Sequence, residues 1–404
     1  MSVTITTLRA SAAALLLAGG VTPASAQRPV TREQAVAAAL ANGPRVARAA
    51  PDVAAARAEL AGARTLQNPT AIASYSGSVP RVHAELEIPL DFPWLRRARV
   101  GAARAVLASS EFRFAFERAS ARYDAEAAYV RALAAEERAR LSRSTASDAD
   151  SLLRLARLRR DAGDGSGLDV ELAAVSAGQL AAAADADSLT GVQALLDLQA
   201  VMGLAAELVT ITPADSLALP AEPPTGPQGV SLLVAAAEAS LQAGERALAF
   251  ARRSVFAAPS LTVGAEGNDP SGAEAGPLAV IALAFPLPLF NRNGAAIQAA
   301  AAARDRARVE LDVARRDSDA AVAAARRELL AALRRVERDR ALLAGAQRVA
   351  AMSLLAYAEG AAALPGVLEA QRTAREALAA CVTDLGEANV AEAALRLLTA
   401  TEAR

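Results

Sequence analysis

The chain has no lysine, one histidine, one tryptophan and one cysteine. Each scarcity removes a class of function. The single cysteine, Cys381, cannot form an internal disulfide and, inside a helical pattern, reads as a small buried hydrophobe. One histidine, with neither clustered carboxylates nor a glycine-rich phosphate loop, leaves no set of groups with separate catalytic roles, so no enzyme and no cofactor is expected. Neither charge dominates: 43 basic residues, all arginine, face 44 acidic ones, for a net charge of -1 and a pI near 6.1. No nucleic-acid partner is expected from such a balance. Aromatics make up only 3% of residues, and most of the hydrophobic 53% is alanine. Alanine favours helix but buries little area, which points to narrow helices around a thin seam rather than a thick core. Long apolar runs are also missing after the first residues. No later stretch offers the roughly 20 uncharged apolar residues of a spanning helix, so a place in a membrane would require a barrel.

What is present begins with a secretory signal over residues 1–26. Arg9 supplies its positive charge, residues 12–17 its apolar stretch, and Ala24, Ser25 and Ala26 the small-residue cleavage pattern before Gln27. With no cysteine after that site, no lipid anchor is expected there. The rest of the chain repeats itself. Pro89 and Pro286 are 286 − 89 = 197 residues apart, as are Gly163 and Gly360 (360 − 163 = 197). Val170 and Val367 keep this offset, and so do Val100 and Ile297. The expected division is a first repeat over 27–210, a Pro-rich surface linker over 211–229 and a second repeat over 230–404. Each repeat reads as an opening helix (31–66, interrupted near Pro44, and 230–256), two strands, a long helix, a glycine turn and a return helix. Thr31 and Gln34 form the pattern of a capping box.

The strands alternate with period two. Val82, Ala84, Leu86, Ile88 and Leu90 share one face, and His83, Glu85 and Glu87 share the other. Adding 197 to the apolar set gives Ala279, Ile281, Leu283, Phe285 and Leu287, again one apolar face. Their partners alternate too: Ala71, Ala73 and Tyr75 oppose Thr70, Ser74 and Ser76, with Ile72 the exception. Leu261, Val263 and Ala265 oppose Thr262 and Glu266. Nothing bulky remains to cover that apolar face, and four strands cannot close around a lumen. Open edges must then pair with other copies, giving an oligomeric barrel with lipid outside and His83, Glu85 and Glu87 facing water inside. At the end of each strand pair, prolines lack the amide that would extend the ladder or start a helix early. They are Pro89 and Pro93, with Asp91, in the first copy, and Pro286 and Pro288 in the second, where Asn293 is the expected N-cap of the following helix.

The following helices are very long. Residues 294–357 contain no proline, and 64 residues of helix span about 96 Å. The matching run covers 97–160. Larger residues step by fours and threes in both, through Phe112, Phe116, Ala119, Tyr123, Ala127, Val130 and Leu133, and through Val322, Leu329, Leu333, Val336 and Leu343, as in a coiled-coil seam. After Gly163 and Gly360 the chain turns back into helices over 168–202 and 367–398. The fold class expected is mainly α with a small β part: two long antiparallel helical hairpins and four amphipathic strands.

The duplicated plan, the strand pairs feeding long helices and the stretch Pro286-Leu-Pro-Leu-Phe-Asn-Arg-Asn-Gly294 resemble the outer membrane channels typified by TolC, closest in look to the heavy-metal efflux branch. The resemblance implies a homotrimer in outer membrane lipid, with a 12-stranded barrel continued by a helical tunnel into the periplasm. It implies passive conduction, with a periplasmic adaptor and an inner-membrane pump of the resistance-nodulation-division (RND) type supplying substrate and energy. It makes the turns at Gly163 and Gly360 the gated, adaptor-facing tip. There Asp169 would bond to Tyr357 and Glu369 would join a ring of three carboxylates across the pore, favouring cations. The family's second-copy Asp is Gly366 here, and the basic residue it places after the second turn glycine is replaced by Ala361 and Ala362. Read on residues alone, Asp169 is equally a cap of the returning helix. The alternative to a channel is a periplasmic adaptor or coiled-coil scaffold, although an adaptor has one helical hairpin per chain between β-rich domains.

Overall fold

The structure, a computed structural model, describes residues 27–222, 229–255, 259–267 and 277–401. The expected secretory signal lies outside the described residues, as do residues 223–228 of the Pro-rich segment. The first half runs β1 (Arg28–Val30), α1 (Arg32–Asn42), α2 (Pro44–Arg64), β2 (Thr70–Tyr75), β3 (Val82–Pro89), α3 (Pro93–Asp161) and α4 (Gly167–Val201). The second runs β4 (Ile211–Pro213), α5 (Leu232–Arg253), β5 (Ser260–Gly267), β6 (Leu278–Ala284), α6 (Gly294–Ala358) and α7 (Leu364–Leu398).

Local chemistry sets these boundaries. Gln34 N donates to Thr31 Oγ1 at 3.3 Å, and Thr31 N donates to Gln34 Oε1 at 3.2 Å, closing the capping box of α1. Pro44 holds Gly43 extended, so the opening segment is two helices rather than one. Pro93 is the first residue of α3, where its missing amide costs nothing; it starts the helix rather than delaying it. Asp91, almost buried, receives both guanidinium nitrogens of Arg99 at 2.7 and 3.2 Å and pins the strand end to that helix. In the second copy β6 stops at Ala284, two residues before Pro286. Asn293 stands at the N-cap position of α6 but does not cap it. Its backbone is left-handed (φ 58°), and its side-chain amide donates instead to Ala251 O at 2.9 Å and Ser254 Oγ at 3.0 Å, closing the end of α5.

Strands and helices keep one lateral order. The main sheet is β2-β3-β5-β6, antiparallel throughout. Beside it α2 packs on α3, α3 on α5, and α5 on α6. At the other end α4 packs on α3, α3 on α7, and α7 on α6. Each strand passes into the helix of its own row, and α3 and α6 (69 and 65 residues) each extend about 100 Å. The α6–α7 seam is the one expected. Leu329 and Leu333 pack with Ala391 and Leu395, and Val336 packs with Cys381, Leu385 and Ala388. Where α3 passes between α1, α4 and α7, residues 125–130 are buried on every face.

Two further features depart from expectation. The first part of the Pro-rich segment is not a free connector. β4 pairs with β1 in a parallel ladder, and Tyr129 of α3 fastens both strands. The Tyr129 hydroxyl donates to Val30 O at 2.9 Å and accepts from Ala214 N and Asp215 N at 3.2 Å, and burial pushes its pKa up to about 12. A three-residue strand has too few positions to display a period, so nothing in its pattern announces it. The second departure is in α6, which holds an 18-residue window of mean hydropathy 1.3 and so is long and apolar enough, by length and composition, to cross a bilayer. Only 6% of that window is buried. Toward the tip, Leu342, Val349, Met352 and Leu355 are exposed at spacings of seven and three, the pattern of an unfilled helix-packing stripe.

Candidate functional site

The four-stranded sheet is inverted relative to a soluble one. Its register aligns Ala71, Leu86 and Val263 with Ile281, and Tyr75, Val82 and Leu261 fall on the same side. This apolar face is open, with Ile281 76% exposed and Tyr75 69%. The polar face is the more enclosed: His83 and Glu266 side chains are only 24% and 29% exposed. There His83 Nδ1 lies 3.3 Å from Glu266 Oε2, and Nε2 lies 3.4 Å from Ser76 Oγ. Glu85 faces Ile72 and Gly264, and Glu87 faces Thr70 and Thr262, all on that polar side. β2 and β6 each lack a partner on their outer edge among the described residues. Below the sheet, Phe285, Leu287, Leu289 and Phe290 are all exposed around Pro286 and Pro288.

The opposite end of the molecule is built from the two helical turns. Gly163 (φ 86°) and Gly360 (φ 78°) are left-handed, a conformation in which a Cβ would be strained. Both turns make the same pair of reversed bonds. Asp164 N donates to Arg159 O and Gly163 N to Arg160 O, while Ala361 N donates to Ala356 O and Gly360 N to Tyr357 O. Asp169 is part of a capping box at the start of α4. Its amide donates to Ser166 Oγ at 3.1 Å, and its Oδ2 accepts from Ser166 N at 3.4 Å. The Asp169–Tyr357 hydrogen bond that the resemblance implies is not formed within the chain. Tyr357 is buried against Leu152, Val170 and Leu364, and its hydroxyl has no hydrogen-bond partner among the described residues. Burial raises its pKa, nearby Asp169 adds to the rise and Arg159 opposes it. Glu369 is exposed on α7, 3.4 Å from Arg372.

Besides the apolar cluster around Tyr357, Arg159, which the sequence did not single out, also joins the two tips. Its guanidinium lies over the Tyr357 ring, 4.8 Å from the centroid, and donates to the Tyr357 carbonyl and to Asp164 O. The signal for it was indirect: Ala361 and Ala362 stand where the resemblance places a basic residue, and Arg159 belongs to the other hairpin. Arg159→Ala removes a charge-assisted bond of about 1.5–3 kcal/mol. Hydrogen exchange at Gly360 and Ala361 is therefore expected to quicken by about 10- to 100-fold, while exchange in α6 near Leu329 stays as it was.

No protein-family model matches the chain. Nor does any curated protein. Solved structures do. A membrane protein from Pseudomonas aeruginosa matches with TM-score 0.75 and 21% identity over 91% of this chain and 93% of its own. The Campylobacter jejuni CmeC outer membrane channel matches with TM-score 0.78 and 15% identity over 91% and 85%. CusC, whose structures describe transmembrane channel formation, matches with TM-score 0.76 and 19% identity over 91% of both chains. The chain is built on the fold of the TolC-type outer membrane channels, the fold that its sequence resembles.

Proposed function

We propose that this protein is an outer membrane channel of a tripartite efflux system, passively conducting substrate delivered by an RND-type inner-membrane pump through a periplasmic adaptor. The inverted sheet carries the proposal. A face holding Ile281, Val263, Leu86 and Tyr75 is stable in the open only against lipid. The more enclosed His83, Glu85, Glu87 and Glu266 then line a wet lumen.

The edges support closure with other copies. One side of the molecule ends in β2, α2 and α4 and the other in β6 and α6, so one copy's second-repeat edge meets the next copy's first-repeat edge along its whole length. The stripe of Leu342, Val349 and Met352 on α6, and that of Leu168, Val175 and Leu189 on α4, lie on those edges. Two copies would give a barrel of about eight strands, whose interior side chains fill. Three give 3 × 4 = 12 strands and leave a lumen. In that trimer α3, α4, α6 and α7 form the periplasmic tunnel, and Gly163, Asp169, Arg159, Tyr357, Gly360 and Glu369 stand at its adaptor-facing end. The stretch around Pro286 is the reason to place the channel beside the heavy-metal branch.

Separation of inner and outer membranes tests this reading. The protein is expected in the outer membrane, extracted by detergent as a trimer. Recovery as a soluble periplasmic monomer would overturn it and favour a scaffold.

A further inference from the structure

The two helical hairpins carry equivalent polar clusters, in which a serine of the first is an aspartate in the second. In the α3–α4 hairpin, Arg138 Nε donates to Asp187 Oδ1 at 3.0 Å, and the Ser142 hydroxyl donates to Asp187 Oδ2. In the α6–α7 hairpin, Arg335 Nε donates to Asp384 Oδ1 at 3.2 Å. The offset is the repeat's own: 335 − 138 = 384 − 187 = 197. At the position of Ser142 (339 − 142 = 197) stands Asp339. A serine always has a proton to give to the facing carboxylate. An aspartate has one only when it is protonated.

Asp339 is only 8% exposed, and its Oδ2 is buried with no hydrogen-bond partner among the described residues. Its neighbours do not offer a cation of its own. On α6, Arg335 is taken by Asp384 and by Glu387 at 2.7 Å, and Arg338 acts on Asp339 through space without a hydrogen bond among those described. Arg340 acts on Cys381 of α7. From the segment after β4, Leu217 closes the cluster, and α3 reaches α7 here through Ala134 at Gly386; neither is ionisable. Asp384 stands to Asp339 as Asp187 does to Ser142, within reach of a side-chain hydrogen bond, and two carboxyl groups so placed cannot both be charged without strong repulsion.

We propose that Asp339 and Asp384 hold one proton between them, and that the α6–α7 hairpin loses stability as rising pH removes it, whereas the α3–α4 hairpin has no such dependence at Ser142. The hydrogen bond to Asp384, burial and the Asp384 charge all raise the Asp339 pKa, against the opposing pull of Arg338 and Arg335. The folded state therefore keeps a proton that the unfolded chain gives up. The stabilisation is complete below the ordinary carboxyl pKa and is lost as pH rises through the raised value. This pair would make the second hairpin the pH-sensitive half of the molecule.

The test uses the full-length protein and reads the carboxylic-acid carbonyl band in the infrared and the thermal unfolding midpoint, both against pH. In the unsubstituted chain a protonated-carboxyl band is expected to vanish with alkali over the interval in which the midpoint falls. Asp339→Asn, which supplies a permanent donor, and Asp339→Ser, which installs the first repeat's residue, are expected to lose that band and flatten the profile. Both should unfold several degrees above the unsubstituted protein on the alkaline side. Ser142→Asp is expected to add a second band and steepen the fall. A slope retained in both Asp339 variants would overturn the proposal, and so would the absence of any protonated-carboxyl band in the unsubstituted chain. The infrared band of that chain decides the matter even if a variant does not fold.

Discussion

The Ile281→Arg variant is expected to fail at membrane assembly while the helical body still folds. Ile281 lies midway along β6, opposite Val263, and is 76% exposed. On a soluble protein a substitution at such a position changes stability by about 0.5 kcal/mol or less. On a lipid-facing strand near the bilayer midplane an arginine costs about 2–4 kcal/mol, and each copy in a closed barrel would carry the penalty. The expected observation is loss of the detergent-stable trimer from outer membranes, with chain accumulating unassembled. Thr262→Arg sits on the opposite, polar face of β5, paired with Glu87, and is expected to assemble as before. If the two variants assembled equally well, the apolar face would not be facing lipid.

Tyr129→Ala is expected to have the largest effect on the helical body itself. The side chain is fully buried among Val30, Ala35, Leu195, Leu198 and Ile211, and its hydroxyl ties α3 to both strands of the small parallel ladder. Truncating a buried aromatic costs about 3–5 kcal/mol, and the Asp215 amide would lose its acceptor as well, whereas Ala214 N keeps its bond to Val30 O. Tyr129→Phe keeps the ring and loses only the bonds, an expected cost of about 1–3 kcal/mol. Chemical unfolding of the purified protein should rank the three proteins in that order. Proteolysis should open the Tyr129→Ala variant first at residues 28–30 and 211–215, because the ring packs on Val30 and Ile211 and the hydroxyl binds Val30, Ala214 and Asp215.

These two positions differ in how far the sequence exposes them. Ile281 was readable from alternation, because a strand displays its two faces every second residue and the 197-residue offset repeats the display. Tyr129 was not. Its partners lie 99 and 85 residues away, at Val30 in β1 and at Ala214 just after β4, and both strands are too short to show a period. The helix seam through Leu329, Leu333 and Val336 was legible because it repeats over many turns, and the turn glycines because left-handed backbone favours that residue. Arg159 was not, since any of dozens of arginines could have reached Tyr357. Asp169 was ambiguous for a related reason: a capping box and a link between hairpins ask for the same residue type.

By itself the sequence determined the periodic and local features: helix lengths, strand faces, capping boxes, left-handed turns and the duplication that relates the two halves. Those depend on neighbours a few residues apart and on a pattern written twice. Only the tertiary structure decided what meets across the repeats: the order β2-β3-β5-β6 with its open edges, the knot at Tyr129, Arg159 over Tyr357, and Asp339 against Asp384. These contacts depend on how helices about 100 Å long are rotated and slid against one another. A shift of one residue in register changes every partner and leaves the sequence pattern untouched.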